Sequence, residues 1–286
     1  MGGRTRLLDL FCGAGGCAMG YHQAGFEVVG VDLAPQKHYP FEFYQADALE
    51  FLDSGGWKGF DAIHASPPCQ GYSVMNNLPW LQDKEREYLI LPVRERLRAI
   101  RLPYVIENVM GAAHGAKGLV KIGKESHGMK ALWLCGTMFG LPFYRHRLFE
   151  SSFFWGWERP KHMKHRGIIL PGRNFGDRGH IVTYSAAEDA RGKASWPNRR
   201  GTEAGSGLTV TRGSLASGQG DGAQKPGVGI GHAAGWRLAA EAMGINWMKR
   251  EELTQAIPPA YTRFIGEQLL RVLRPAADAP GGAGRK

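Results

Sequence analysis

LLDLFCGAGGCAMGYHQAG, residues 7–25, decides the fold. A short apolar run, LLDLF, meets a cluster of glycines and then a helix-like segment, CAMGYHQAG. Outward from it the texture repeats: FEVVGVD (26–32), DAIHAS (61–66), YVIENV (104–109) and RLFESSF (147–153) are further apolar runs of strand length, separated by helical patterns. Strands alternating with helices imply a mostly parallel sheet covered on both faces, an α/β fold.

Composition sets the outer bounds. A chain of 286 residues, 43% hydrophobic, is long enough for one large domain and a smaller appendage, and too apolar to be disordered. Its apolar runs are too short to cross a bilayer, and no signal-peptide pattern follows Met1 to Arg6, so no membrane association and a cytoplasmic location are expected. Cys12, Cys17, Cys69 and Cys135 contain no CxxC pair; reduced thiols are expected, with no zinc site or other metal. A net charge of +10 suits an anionic partner such as a nucleic acid.

Beyond about residue 153 the texture changes to glycine, arginine, histidine and serine. Residues 151–235 hold 12 Lys+Arg against 6 Asp+Glu, a net +6. Such a stretch commonly reads as a disordered linker. IILPGRNFG, HIVTYSA and GLTVTR inside it are strand candidates, however, and argue for a small irregular domain. WRLAAEAMGI and TRFIGEQLLRVL then read as amphipathic helices able to return to the first domain, and the tail PAADAPGGAGRK as disordered. The expected division is 1–153, 154–235, 236–274 and a tail at 275–286.

The glycines of DLFCGAGG (9–16) let a ligand approach the backbone just before a helix N-terminus. Asp32, closing the next strand, is placed to accept hydrogen bonds from two ribose hydroxyls, which points to an adenosine-bearing cofactor. Asp47 in QADALEF is placed to bond an adenine amino group, although capping a helix would be an ordinary use of it. A nicotinamide enzyme would share these features.

The cysteine in DAIHASPPCQGYS (61–73) narrows the chemistry. Pro67 and Pro68 fix the backbone before Cys69 and prevent the strand from running on into a helix. The thiol is thereby displayed at the C-terminal edge of the sheet, where open α/β folds bind ligands. YVIENV places Glu107 and Asn108 at that same edge. A carboxyl beside a nucleophilic thiol suits covalent and general-acid chemistry on an electron-poor ring.

DLFCGAGG, VVGVD, QAD, SPPCQGYS, ENV and YRHR, in that order over residues 5–153, together with residues 236–272, resemble the cytosine-5 DNA methyltransferases. The resemblance implies a Rossmann-like S-adenosylmethionine-dependent methyltransferase fold with a small basic target-recognition domain at 154–235, acting on a cytosine flipped out of double-stranded DNA. It implies Cys69 as the nucleophile at C6 and Glu107 at N3, with Arg145 and Arg147 contacting the flipped base and Pro68, Gln70 and Asn108 completing the catalytic loop. Asp9, Phe11, Gly13, Gly15, Asp32, Leu33, Asp47, Ala48 and Pro67 would hold S-adenosylmethionine. Gln70 to about Glu87 matches the family's mobile loop. A monomer is expected; a cognate restriction endonuclease as partner, and restriction, orphan or phage-protection roles, stay open.

Two positions depart from the pattern. Phe143 stands where the family usually has glutamine, and AIPPAYT (256–262) replaces a GNSV-like segment, as in compact, often phage-associated members; Pro258 and Tyr261 are its cofactor-side candidates. A tRNA cytosine methyltransferase, for which LCGTMFG (134–140) is only a distant echo of the diagnostic motif, remains an alternative. So does a non-catalytic DNA-binding protein on the same fold. Arg173, Arg178, Arg199, Arg200 and Arg212 are all candidates to contact phosphate or base.

Overall fold

The computed structural model describes residues 4–72, 87–113, 130–141, 145–153, 159–162, 168–170, 180–182 and 236–274. The mobile-loop segment 73–86, Phe143, the strand candidate GLTVTR, the arginines 173, 178, 199, 200 and 212, and the tail lie outside them. Among the described residues no helix is long and apolar enough to cross a membrane.

Seven strands form one sheet: β1 (Arg6–Leu10), β2 (Glu27–Asp32), β3 (Glu42–Gln45), β4 (Ala62–Ala65), β5 (Tyr104–Asn108), β6 (Lys130–Leu134) and β7 (Arg147–Ser151), in the order β3-β2-β1-β4-β5-β7-β6. The first five pair in parallel, and β7 runs antiparallel to both β5 and β6. Central strands buried on both faces need apolar side chains in both directions, and the alternation is visible in β1 and β4. Leu8, Leu10, Ile63 and Ala65 pack on the face covered by α2 (Ala48–Asp53) and α3 (Ile90–Ile100). Leu7 and Ala62 pack on the other, beside Tyr21 of α1 (Gly16–Ala24) and Ile265 of α6 (Pro259–Leu273). Asp9 and His64, register neighbours in β1 and β4, are fully buried polar residues among them.

Beyond the sheet, β8 (Ile168–Leu170) and β9 (His180–Val182) pair antiparallel within the basic segment, where two of the three strand candidates stood. α4 (Trp236–Met243) and α5 (Arg250–Gln255) precede α6. The C-terminal helices lie against the glycine loop: Trp247 Nε1 donates to the Ala14 carbonyl at 2.8 Å and Thr262 Oγ1 to the Cys17 carbonyl at 2.8 Å. A Cβ at Gly16 would come within 2.7 Å of the Ile257 carbonyl oxygen, so the close approach of α1 to AIPP requires glycine.

β7 is clamped from the side. Arg94 of α3 donates to both Glu150 oxygens, Nε at 2.7 Å and Nη2 at 2.6 Å, with Glu150 fully buried. Removing one partner of such a buried pair leaves an uncompensated charge and costs about 3–5 kcal/mol. The pair thereby fixes the strand that carries Arg147.

Candidate active site and cofactor cradle

β1 stops at Leu10 because the chain turns left-handed at Phe11 (φ 57°), an unusual conformation for a bulky residue, and stays so at Gly13 (φ 49°) and Gly15 (φ 86°). Asp32 holds this turn: Oδ2 accepts from Gly13 N at 3.0 Å and Oδ1 from Ala34 N at 3.0 Å. A Cβ at Gly13 would meet nothing within 4 Å, whereas one at Gly15 would strike Pro40 at 2.7 Å. The loop thus opens on one side and is packed on the other. α1 follows with no acidic residue in its first turn and no side-chain cap, leaving its positive end available to an anion.

Leu33 is a large apolar side chain left 69% exposed next to Asp32. Asp47 caps α2, Oδ1 accepting from Leu49 N at 2.8 Å and Glu50 N at 3.0 Å; that ordinary capping use is realised and occupies one of its two oxygens. Ala48 is buried in the first turn of α2. The edge therefore presents an aromatic residue, an exposed aliphatic one, two carboxylates and an open glycine turn, a donor set that fits an adenosine.

Asp9 is placed differently from the cofactor-side position expected of it. It is fully buried on the α1 face, the Cys17 thiol is the hydrogen-bonding group beside its carboxyl, and its ligand atoms lie within 4.8 Å of those of Cys17 and His64. Burial, opposed by the Cys17 hydrogen bond and reinforced by Asp32 and Glu107, pushes its pKa up to about 8. Asp9 lies beneath the cradle rather than in it.

The candidate catalytic edge is built from three strand ends. The chain leaves β4 through Ser66 and buried Pro67, and a turn bond from Tyr72 N to the Cys69 carbonyl at 3.0 Å closes the loop that exposes Cys69 and Gln70. Asn108 fastens this loop to β5, Nδ2 donating to the Pro67 carbonyl at 2.9 Å while Oδ1 accepts from Val109 N at 3.0 Å. Glu107, only 6% exposed, lies 3.0 Å from Arg147 Nε through Oε1. Arg145 is buried; its Nη2 donates to the Thr254 carbonyl, and its own carbonyl accepts from Tyr261 Oη at 2.5 Å.

Electrostatics couple these groups. Solvent reaches Cys69, yet protein packed round its sulfur is the largest influence and raises its pKa; Arg147 and Arg145 oppose this and Glu107 adds to it. Burial likewise raises the Glu107 pKa against the pull of Arg147, Arg145 and a Ser66 hydrogen bond. Burial, then repulsion from Arg147, disfavours charge on Arg145. A thiol and a carboxyl that both hold protons more tightly than usual, flanked by two guanidiniums, can attack an electron-poor centre and protonate the ring that it belongs to.

Sequence reasoning missed three supports. His64 joins Tyr21 Oη at 3.0 Å to Ser66 Oγ at 2.9 Å, and Ser66 bonds Glu107, so a buried polar chain runs from α1 to the carboxyl. Burial holds the His64 pKa down to about 3, so the imidazole is neutral. Tyr261, expected on the cofactor side, is fully buried with its hydroxyl on the arginine segment, and Pro258 is buried beside it.

The sequence model of C-5 cytosine-specific DNA methylases matches residues 5–153. Among similar proteins, Type II methyltransferase M.AgeI of Thalassovita gelatinovora is 30% identical over 193 residues, covering 58% of this chain and 44% of that one. Type II methyltransferase M1.HphI of Haemophilus parahaemolyticus is 26% identical over 212 residues, 63% of this chain and 56% of that one. The chain thus spans about half the length of these relatives. The solved structure of S. pombe Dnmt2 methyltransferase, 13% identical, has the same fold with a TM-score of 0.52 over 94% of this chain and 99% of that one.

Proposed function

The chain belongs to the C-5 cytosine-specific DNA methylase family, and from that membership we propose that it methylates C5 of a cytosine flipped out of duplex DNA, with S-adenosylmethionine as methyl donor. The observation that carries the proposal is the shared edge at which Cys69 feels the charges of Arg147, Glu107 and Arg145.

The Cys69 thiolate attacks C6, because a thiol itself is a poor nucleophile. As the C5–C6 π electrons move into the ring, Glu107 delivers its proton to N3, and Arg147, paired with Glu107, balances the charge left behind. C5 becomes nucleophilic and takes up the methyl group. Loss of the C5 proton to solvent then returns the electron pair to the C5–C6 bond and expels the Cys69 thiolate, and N3 gives its proton back to Glu107. S-adenosylmethionine, when bound, supplies an electrophilic methyl group on a sulfonium. Phe11 and Leu33 would flank its adenine, Asp32 would bond the ribose, the free oxygen of Asp47 would receive the adenine amino group, and Gly13 would admit the remainder. The base has to leave the stack, since its neighbours cover C6 in the duplex.

Incubation of the full chain with labelled S-adenosylmethionine and unmethylated genomic DNA tests this. Label on DNA with the wild type and none with Cys69→Ser is expected. Label on tRNA alone, or equal labelling by Cys69→Ser, would overturn it.

A further inference from the structure

Among the described residues, two clusters of metal-ligating side chains lie outside the roles assigned above or beneath them. Asp9, Cys17 and His64 form the first, but both His64 ring nitrogens are taken, by Tyr21 and Ser66, so it has no imidazole left to give. The second is Cys135, His146 and His162, whose Sγ and one nitrogen from each ring all lie within 4.8 Å of one another.

We propose that Cys135, His146 and His162 bind a zinc ion. The two Nε2 atoms face each other at 3.4 Å. Zinc–nitrogen bonds of about 2.0–2.1 Å at a tetrahedral angle place two imidazole nitrogens roughly 3.3 Å apart, whereas a direct nitrogen-donor hydrogen bond favours about 2.9–3.0 Å. A thiolate with two neutral imidazoles is a donor set zinc prefers, with water in the fourth position.

Aromatic side chains pack round both imidazole rings. Trp133 meets the His146 ring edge-on at 5.2 Å and the His162 ring at 4.9 Å, fixing both orientations, and Arg159 lies over the Trp133 ring at 4.3 Å. Thr137 Oγ1 donates to Cys135 Sγ at 3.4 Å, a contact that orients the sulfur. Cys135 is fully buried, His146 nearly so and His162 partly exposed, which leaves a route for the ion. The ion would tie the arginine segment to the end of β6 and to residues 159–162.

The sequence argued against a metal because its cysteines form no CxxC pair, and the spacings of 11 and 16 residues between these ligands match no compact zinc signature. The test is elemental analysis of the full chain purified without chelators, followed by exchange of the ion for cobalt. Close to one zinc per chain is expected, with a thiolate-to-cobalt charge-transfer band. Cys135→Ser should abolish the band, and His162→Asn should weaken cobalt binding more than about 100-fold, beyond the loss typical of an outer-layer residue. Wild type with less than about a tenth of an equivalent of zinc and no cobalt band would overturn the site, as would an undiminished band in Cys135→Ser; bound copper in place of zinc would overturn the choice of ion. Should the variants fail to fold, cobalt titration of the wild type alone decides.

Discussion

Arg147 Nε lies 3.0 Å from Glu107 Oε1, yet the Glu107 pKa is raised, because burial outweighs the guanidinium. The contact balances charge while burial still shifts the carboxyl toward its protonated form, the direction that a general acid requires. Glu107→Gln keeps the shape and removes the transferable proton. The single-turnover rate should fall by about 10²–10⁴, or roughly 3–5 kcal/mol of barrier, with DNA affinity little changed. A rate within threefold of wild type would remove Glu107 from the chemistry.

Arg147 also sets the pH at which the nucleophile forms. The Cys69 pKa is raised mainly by the protein packed round it, and Arg147 is the strongest influence pulling it back. Below that pKa the thiolate fraction grows about tenfold per pH unit, so the single-turnover rate should climb with pH and then level off. Arg147→Gln removes the favourable charge and should move that levelling-off to higher pH. An unmoved profile with a uniformly lower rate would show that Arg147 only positions its neighbours.

Asp9 predicts a pH-dependent cost to folding. Its folded pKa is about 8 against 3.8 for an ordinary aspartate, so the native state keeps a proton that the unfolded chain has lost between those limits. Stability therefore falls as pH rises through that window, by at most about 1.4 kcal/mol per unit. Asp9→Asn escapes the effect. Its melting temperature relative to wild type should rise from pH 5 to pH 8 and stay level above; a difference independent of pH would refute the buried, protonated carboxyl.

How much of this was legible in the sequence depends on the range of the interactions. The glycine turn, PPC, ENV and the arginine pair were legible because each is a local event at a strand end, where turn chemistry leaves a residue signature. The antiparallel insertion of β7 between β5 and β6 was not, since RLFESSF shows that a strand exists and not which neighbours it pairs with. KALWL (β6) went unread for a similar reason. Tyr261 on Arg145 and His64 between Tyr21 and Ser66 join residues distant in sequence, and only the folded layers bring them together.

Asp32 has two uses to separate. It holds the Gly13 and Ala34 amides and, in the proposed function, bonds the ribose. Hydrogen bonds to a charged acceptor contribute about 1.5–3 kcal/mol each, so Asp32→Ala should raise the dissociation constant for S-adenosylmethionine at least about tenfold by calorimetry. An unchanged constant would place the cofactor elsewhere.

The central claim is that Cys69 bonds covalently to a cytosine ring. Duplex DNA carrying 5-fluorocytosine has no C5 proton to lose, so after methyl transfer the thiolate cannot leave. Wild-type protein incubated with such DNA, bearing the chain's target sequence, and S-adenosylmethionine should form a denaturant-resistant complex, and peptide mass spectrometry should locate the attached nucleotide on Cys69. Efficient methylation of ordinary cytosine without any trapped complex on the fluorinated DNA, or a nucleotide attached to another residue, would contradict the account.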